Sequence, residues 1–121
     1  MFSLKRHLLA VILAAGLGAS AASAHAFLDH AQPRVGSHVK VAPHRVIIWF
    51  TEAVEPLFSR IQVFNSAGQE VDNKNTHRLH GKKAVLIVTV PALPPGRYKV
   101  IWHVVAEDTH KTHGDFKFWV K

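Results

Sequence analysis

The chain has 121 residues, with 15 Lys and Arg against 8 Asp and Glu for a formal charge of +7, ten histidines, one methionine and no cysteine. Lack of cysteine excludes disulfides, zinc ribbons and blue copper centres that need a thiolate ligand. The basic residues are scattered rather than massed in a run, which argues against a nucleic-acid binder.

Residues 1–24 carry the parts of a secretory signal peptide in order. Lys5, Arg6 and His7 form a basic start, residues 8–17 are apolar, and Ala22-Ser23-Ala24 closes the segment with an A-x-A cleavage pattern. The apolar stretch is short of the roughly 20 residues that span a bilayer, so the processed protein is expected to be exported and not membrane-spanning. Cleavage after Ala24 removes 24 of the 121 residues and leaves a single domain, 25–121, beginning with His25. Met1 leaves with the signal, and so does any thioether site for Cu(I). A cut after Ala26, using Ala24-His25-Ala26, would instead start the protein at Phe27.

The processed chain reads as strands. A short strand is expected over 26–31, then β-branched and aromatic runs over 45–51 (RVIIWFT) and 61–64 (IQVF). Asn65-Ser66-Ala67-Gly68 reads as a hairpin turn into 69–71. Another strand follows over 84–90 (AVLIVTV), and 91–96 (PALPPG) breaks the chain because proline cannot donate to a ladder. The last two strands are expected over 97–105 (RYKVIWHVV) and 115–120 (DFKFWV), with 52–59 as a loop or one helical turn. About seven short strands with regular turns predict an all-β fold, a single antiparallel Greek-key sandwich or barrel that is Ig-like or cupredoxin-like.

Two places carry chemistry. A free N-terminal His25 offers an α-amine and Nδ1, which close a six-membered chelate ring on one metal ion. Between the last two expected strands lies Glu107-Asp108-Thr109-His110-Lys111-Thr112-His113-Gly114. In extended backbone, residues two apart share a side, so Asp108 and His110 present a carboxylate and an imidazole together. If the fold joins the two ends, His25, His110 and Asp108 make a three-nitrogen, one-oxygen set suited to Cu(II), which also heads the Irving-Williams order. His113 reads as a surface residue, His103 as outward-facing and open to a supporting role, and His30 as close enough to reach the ion if the first strand bends.

With these residues in place the chain resembles the CopC copper-resistance proteins of the bacterial periplasm. The likeness runs through His25-Ala26-Phe27-Leu28-Asp29-His30-Ala31-Gln32-Pro33, Gly36-Ser37, the strand ending Trp49-Phe50-Thr51, Leu93-Pro94-Pro95-Gly96-Arg97-Tyr98, Trp102, Asp108-Thr109-His110 and Gly114-Asp115-Phe116. The resemblance implies a Greek-key β fold binding one Cu(II) per chain through His25, Asp108 and His110. It implies a periplasmic monomer that sequesters or delivers copper for resistance and homeostasis, without catalysis, and a CopD-like inner-membrane copper transporter as partner. The chain departs from the family's Met-rich members, since no methionine survives processing, and so resembles the type with the Cu(II) site alone.

Two other classes compete. Copper monooxygenases also use an N-terminal histidine on a β-sandwich, but an Asp ligand would occupy a position oxygen chemistry needs open. An Ig-like interaction module would carry its histidines incidentally. Nucleophilic hydrolysis has no motif here.

Overall fold

In a computed structural model, residues 25–121 are described, and the expected signal peptide, 1–24, lies outside the described residues. The strands are β1 (Leu28–Gln32), β2 (His38–Val39), β3 (Arg45–Phe50), β4 (Arg60–Phe64), β5 (His77–Arg78), β6 (Val85–Thr89), β7 (Gly96–Val105) and β8 (Lys111–Val120). They form two four-stranded sheets, ordered β1-β3-β6-β5 and β2-β8-β7-β4. Only β5–β6 and β7–β8 join neighbours within one sheet; every other connection crosses between the two. The all-β sandwich is therefore the fold the sequence predicts, with eight strands in place of about seven. One pairing departs from the antiparallel expectation, because β2 runs parallel to β8 through His38↔Trp119 and Val39↔Val120.

Alternation explains the core. The inward residues of β7, Tyr98, Val100, Trp102 and Val104, are buried, and so are Phe116, Phe118 and Val120 of β8. They meet Val46, Ile48 and Phe50 of β3 and Leu86 and Val88 of β6 between the sheets. The strands β3 and β6 are buried on both faces, since Ile47, Val85 and Ile87 form a second cluster on the outer side under Trp49 and Leu79. That two-sided burial is why their sequences read as unbroken apolar runs.

Two segments differ from expectation, the arm after 65–68 and the start of the last strand, while 52–59 holds the helical turn that was one of its two expected forms. The turn at 65–68 forms, with Asn65 Oδ1 accepting from the amides of Ala67 and Gln69 and Gly68 at φ 81°. Its return arm is one bridge, Phe64↔Glu70, and not a strand, because the chain leaves at buried Asp72, which accepts from Val63 N at 2.8 Å and Lys74 N at 2.9 Å. Residues 52–59 contain one 3-10 turn, Pro56–Phe58. Strand β8 begins at Lys111, four residues before the expected start at 115.

That early start depends on Gly114. A Cβ there would stand 2.5 Å from Cζ2 and 2.7 Å from Cε2 of the Trp102 ring, which is buried in the core. Gly114→Ala is expected to destabilise the domain by about 1–3 kcal/mol through overpacking. The urea midpoint checks it, and an unchanged midpoint would show that Trp102 yields freely.

Among the described residues no helix is long and apolar enough to cross a membrane.

Candidate metal centre

The segment His25–Phe27 is fastened to one end of the sandwich by two threonines. Thr51, just past β3, donates through Oγ1 to His25 O at 3.3 Å and accepts from Phe27 N at 2.9 Å. Its own amide donates to Phe27 O at 2.8 Å. Thr112, from the first turn of β8 onto the sheet, donates through Oγ1 to Ala26 O. Ala26 is thereby fully buried while His25 on one side and Phe27 on the other are exposed. The N-terminal segment thus holds a fixed place between β3 and β8.

The second half of the centre is the tight connection between β7 and β8. Ala106 N donates to His110 O and Thr109 N to Ala106 O, both at 2.9 Å, which closes the loop on itself. Glu107 N donates to Ala53 O at 3.1 Å, and Ala106 bridges Val54. From the other sheet, Arg78 donates through Nη2 to Val54 O at 2.7 Å and lies 3.9 Å from the Glu107 carboxylate.

Asp108 and His110 do meet, by a different geometry from the one expected. Extended backbone would align residues two apart. Instead Thr109 stands at φ 78°, a left-handed conformation that a β-branched residue rarely adopts. The turn folds the Asp108 carboxylate back over its neighbour. Oδ1 accepts from His110 N at 3.2 Å, and Oδ2 lies 3.0 Å from His110 Nδ1. An ionised carboxylate only accepts, so Nδ1 carries the proton of this bond and Nε2 is the open nitrogen of His110. Strained backbone conformations of this kind cluster at functional sites.

His25 and His110 then face one another, with ring centroids 4.6 Å apart and planes at 84°. Desolvation pushes the Asp108 carboxyl upward. The side-chain and backbone hydrogen bonds with His110 and the charges of His110 and His25 outweigh it, so its pKa lies below the ordinary carboxylate value. Such a carboxyl favours the folded loop at pH above the ordinary carboxylate range, and the contribution is lost as pH falls through the lowered value.

The remaining histidines lie elsewhere. His30 stacks on Trp49 at 4.3 Å and contacts Asp29 Oδ2 at 2.7 Å, away from His110. His38 stacks on Trp119 at 4.6 Å, and His77 Nδ1 lies 2.7 Å from Asn75 O. His103 and His113 are a directly opposed pair on β7 and β8. Sequence reasoning missed Thr51 and Thr112 as anchors and Arg78 as a brace; lone threonines and an arginine in a polar stretch carry no pattern that would reveal these contacts.

Among the described residues no three His, Asp or Glu side chains converge closely enough to enclose a metal ion. A pair of imidazoles and one carboxylate bonded to one of them is what the side chains provide.

Residues 28–121 match the family model described as the CopC domain. The chain is 36% identical over 111 residues to Protein YobA of Escherichia coli K12, covering 91% of this chain and 90% of that protein. It is 34% identical over 96 residues to Copper transport protein CutJ of Bacillus subtilis, covering 78% of this chain and 18% of CutJ. The fold is similar to the crystal structure of CopC from Methylosinus trichosporium OB3b, with TM-score 0.76 and 32% identity over 80% of this chain and 94% of that one.

Proposed function

The chain belongs to the CopC family of copper resistance and transport proteins, and from that membership we propose that it is exported to the periplasm, cut after Ala24, and binds one Cu(II) through His25, Asp108 and His110. In this reading the ion is cargo. The protein buffers it or passes it on and catalyses nothing.

The single observation carrying the proposal is the approach of His25 to His110 at 4.6 Å beside the Asp108 carboxylate. The donor missing from this trio of side chains is the α-amine that cleavage would free on His25. Amine, His25 Nδ1, His110 Nε2 and an Asp108 oxygen make a set of three nitrogens and one oxygen. Cu(II) favours such tetragonal N,O surroundings. A carboxylate oxygen that accepts one hydrogen bond keeps a further lone pair, so Asp108 can hold His110 and reach the ion together.

The residues also divide the pH response. An α-amine has a reference pKa near 8 and must lose its proton to coordinate, so affinity falls on acidification through that range. Asp108, held below the ordinary carboxylate range, stays ionised throughout it. Copper release in mild acid is therefore expected to come from the nitrogen donors.

The match to CutJ supports the choice of partner. A stretch similar to this chain makes up 18% of that longer copper transport protein. A CopD-like membrane transporter would receive the ion from, or give it to, the domain of this chain. The processed chain acts as a monomer in this scheme.

Competition with a calibrated Cu(II) chelator tests the reading. The chain beginning at His25 is expected to hold Cu(II) with Kd well below about 1 µM, which is about −8 kcal/mol. Binding at micromolar Kd or weaker would remove copper carriage as its function.

A further inference from the structure

Two histidines outside this centre face each other across the β7–β8 ladder. His103 is the direct register partner of His113, on the outer face of the second sheet. Both are exposed, and their ring centroids lie 5.8 Å apart with planes 26° from parallel. Opposed residues on neighbouring strands have their Cβ atoms about 4.5–5.5 Å apart, so the pairing is held by the ladder and not by chance rotamers. With metal–nitrogen bonds of about 2.0 Å, two imidazoles on one ion at angles of about 90–110° set their centroids about 4.5–5 Å apart. A small rotation of either side chain closes the difference.

We propose that His103 and His113 form a second, labile site for a borderline divalent cation, Cu(II) or Zn(II), distinct from the centre at His25 and His110. Two imidazoles complete the protein's share and water fills the remaining positions. Carboxylate and thiolate donors are absent from the pair, which sets the preference for ions that accept imidazole over Mg(II) or Ca(II).

Two surrounding features act on the pair. Phe58 and Lys111 line the same shallow depression on the surface as the two rings. Arg60, the register partner of His103 on β4, opposes a bound cation. That repulsion makes the site weak. It fits an ion held briefly once the first centre is full.

The test is a calorimetric titration of the metal-free chain with Cu(II) past two equivalents, and of the chain loaded with one equivalent of Cu(II) with Zn(II). A second, weaker event is expected with each ion. His103→Ala and His113→Ala should each weaken it by at least about tenfold, because even a ligand's hydrogen-bond partner is worth about 10–100-fold in metal affinity. Both side chains are exposed, so neither change should alter the fold or the first event. Arg60→Gln should strengthen the second event a few-fold by removing the opposed charge. His110→Ala should abolish the tight first event and spare the second, which separates the two sites. The proposal is overturned if no second event occurs, or if the second event persists at full strength in both His103→Ala and His113→Ala.

Discussion

A chain carrying one alanine ahead of His25 is expected to bind Cu(II) more than about tenfold more weakly than the chain beginning at His25, a loss of more than about 1.4 kcal/mol. The extra residue turns the α-amine into an amide, which is a poor donor while it keeps its proton. The six-membered ring between that amine and Nδ1 then cannot form while the amide keeps its proton, although every side chain is unchanged. The structure gives little room for compensation. Thr51 holds the His25 and Phe27 backbone, and Thr112 holds buried Ala26, so the new amine one residue upstream cannot slide into the vacated place. His25 itself is exposed, so the addition should leave thermal stability unaffected. Chelator competition on the two proteins measures the difference, and equal affinities would refute the amine chelate.

His110→Ala should cost more, on the order of a hundredfold or above, because it removes a ligand where loss of a ligand's hydrogen-bond partner alone costs about 10–100-fold. It also removes the Oδ2 contact to Nδ1 at 3.0 Å, leaving Asp108 held only by the backbone amide at position 110. Asp108→Asn separates the two contributions. The amide can still accept from His110 N while the charge and much of the oxygen's donor strength are lost. Its effect should lie between that of the parent and that of His110→Ala. The Cu(II) EPR spectrum gives a readout beyond affinity, since His110→Ala changes the nitrogen count and Asp108→Asn does not. Unchanged affinity in His110→Ala would remove this turn from the centre.

Much of the fold was legible because its strongest strands carry their own signal. The runs of β3 and β6 are apolar on both faces, and β7 alternates over its ten residues, so their limits emerge within a residue or two. The two-residue strands β2 and β5 could not be seen, since two residues have no period. They exist through pairing with β8 and β6. The start of β8 was hidden for a related reason. Its inward positions there are Thr112, committed to Ala26 O, and Gly114, which makes room for the Trp102 ring, so no apolar alternation marks them.

The candidate centre shows the same division. His25, Asp108 and His110 stood out from their chemistry, and the structure brings the two imidazoles together. The reason offered for Asp108 and His110 sharing a side did not hold, because Thr109 turns left-handed between them. Nor could His30 be placed from its distance along the chain, since β1 carries it onto Trp49. Position in sequence proposes a ligand, and only the pairing of strands decides which ends meet.

Native mass spectrometry of the exported protein, purified without a tag and exchanged into a buffer with a micromolar copper chelator, tests the central claim most directly. It reads the first residue and the retained metal in one spectrum. The expected species begins at His25 and carries one copper ion. A chain that begins at Phe27, or one that begins at His25 and retains no copper, would contradict the account.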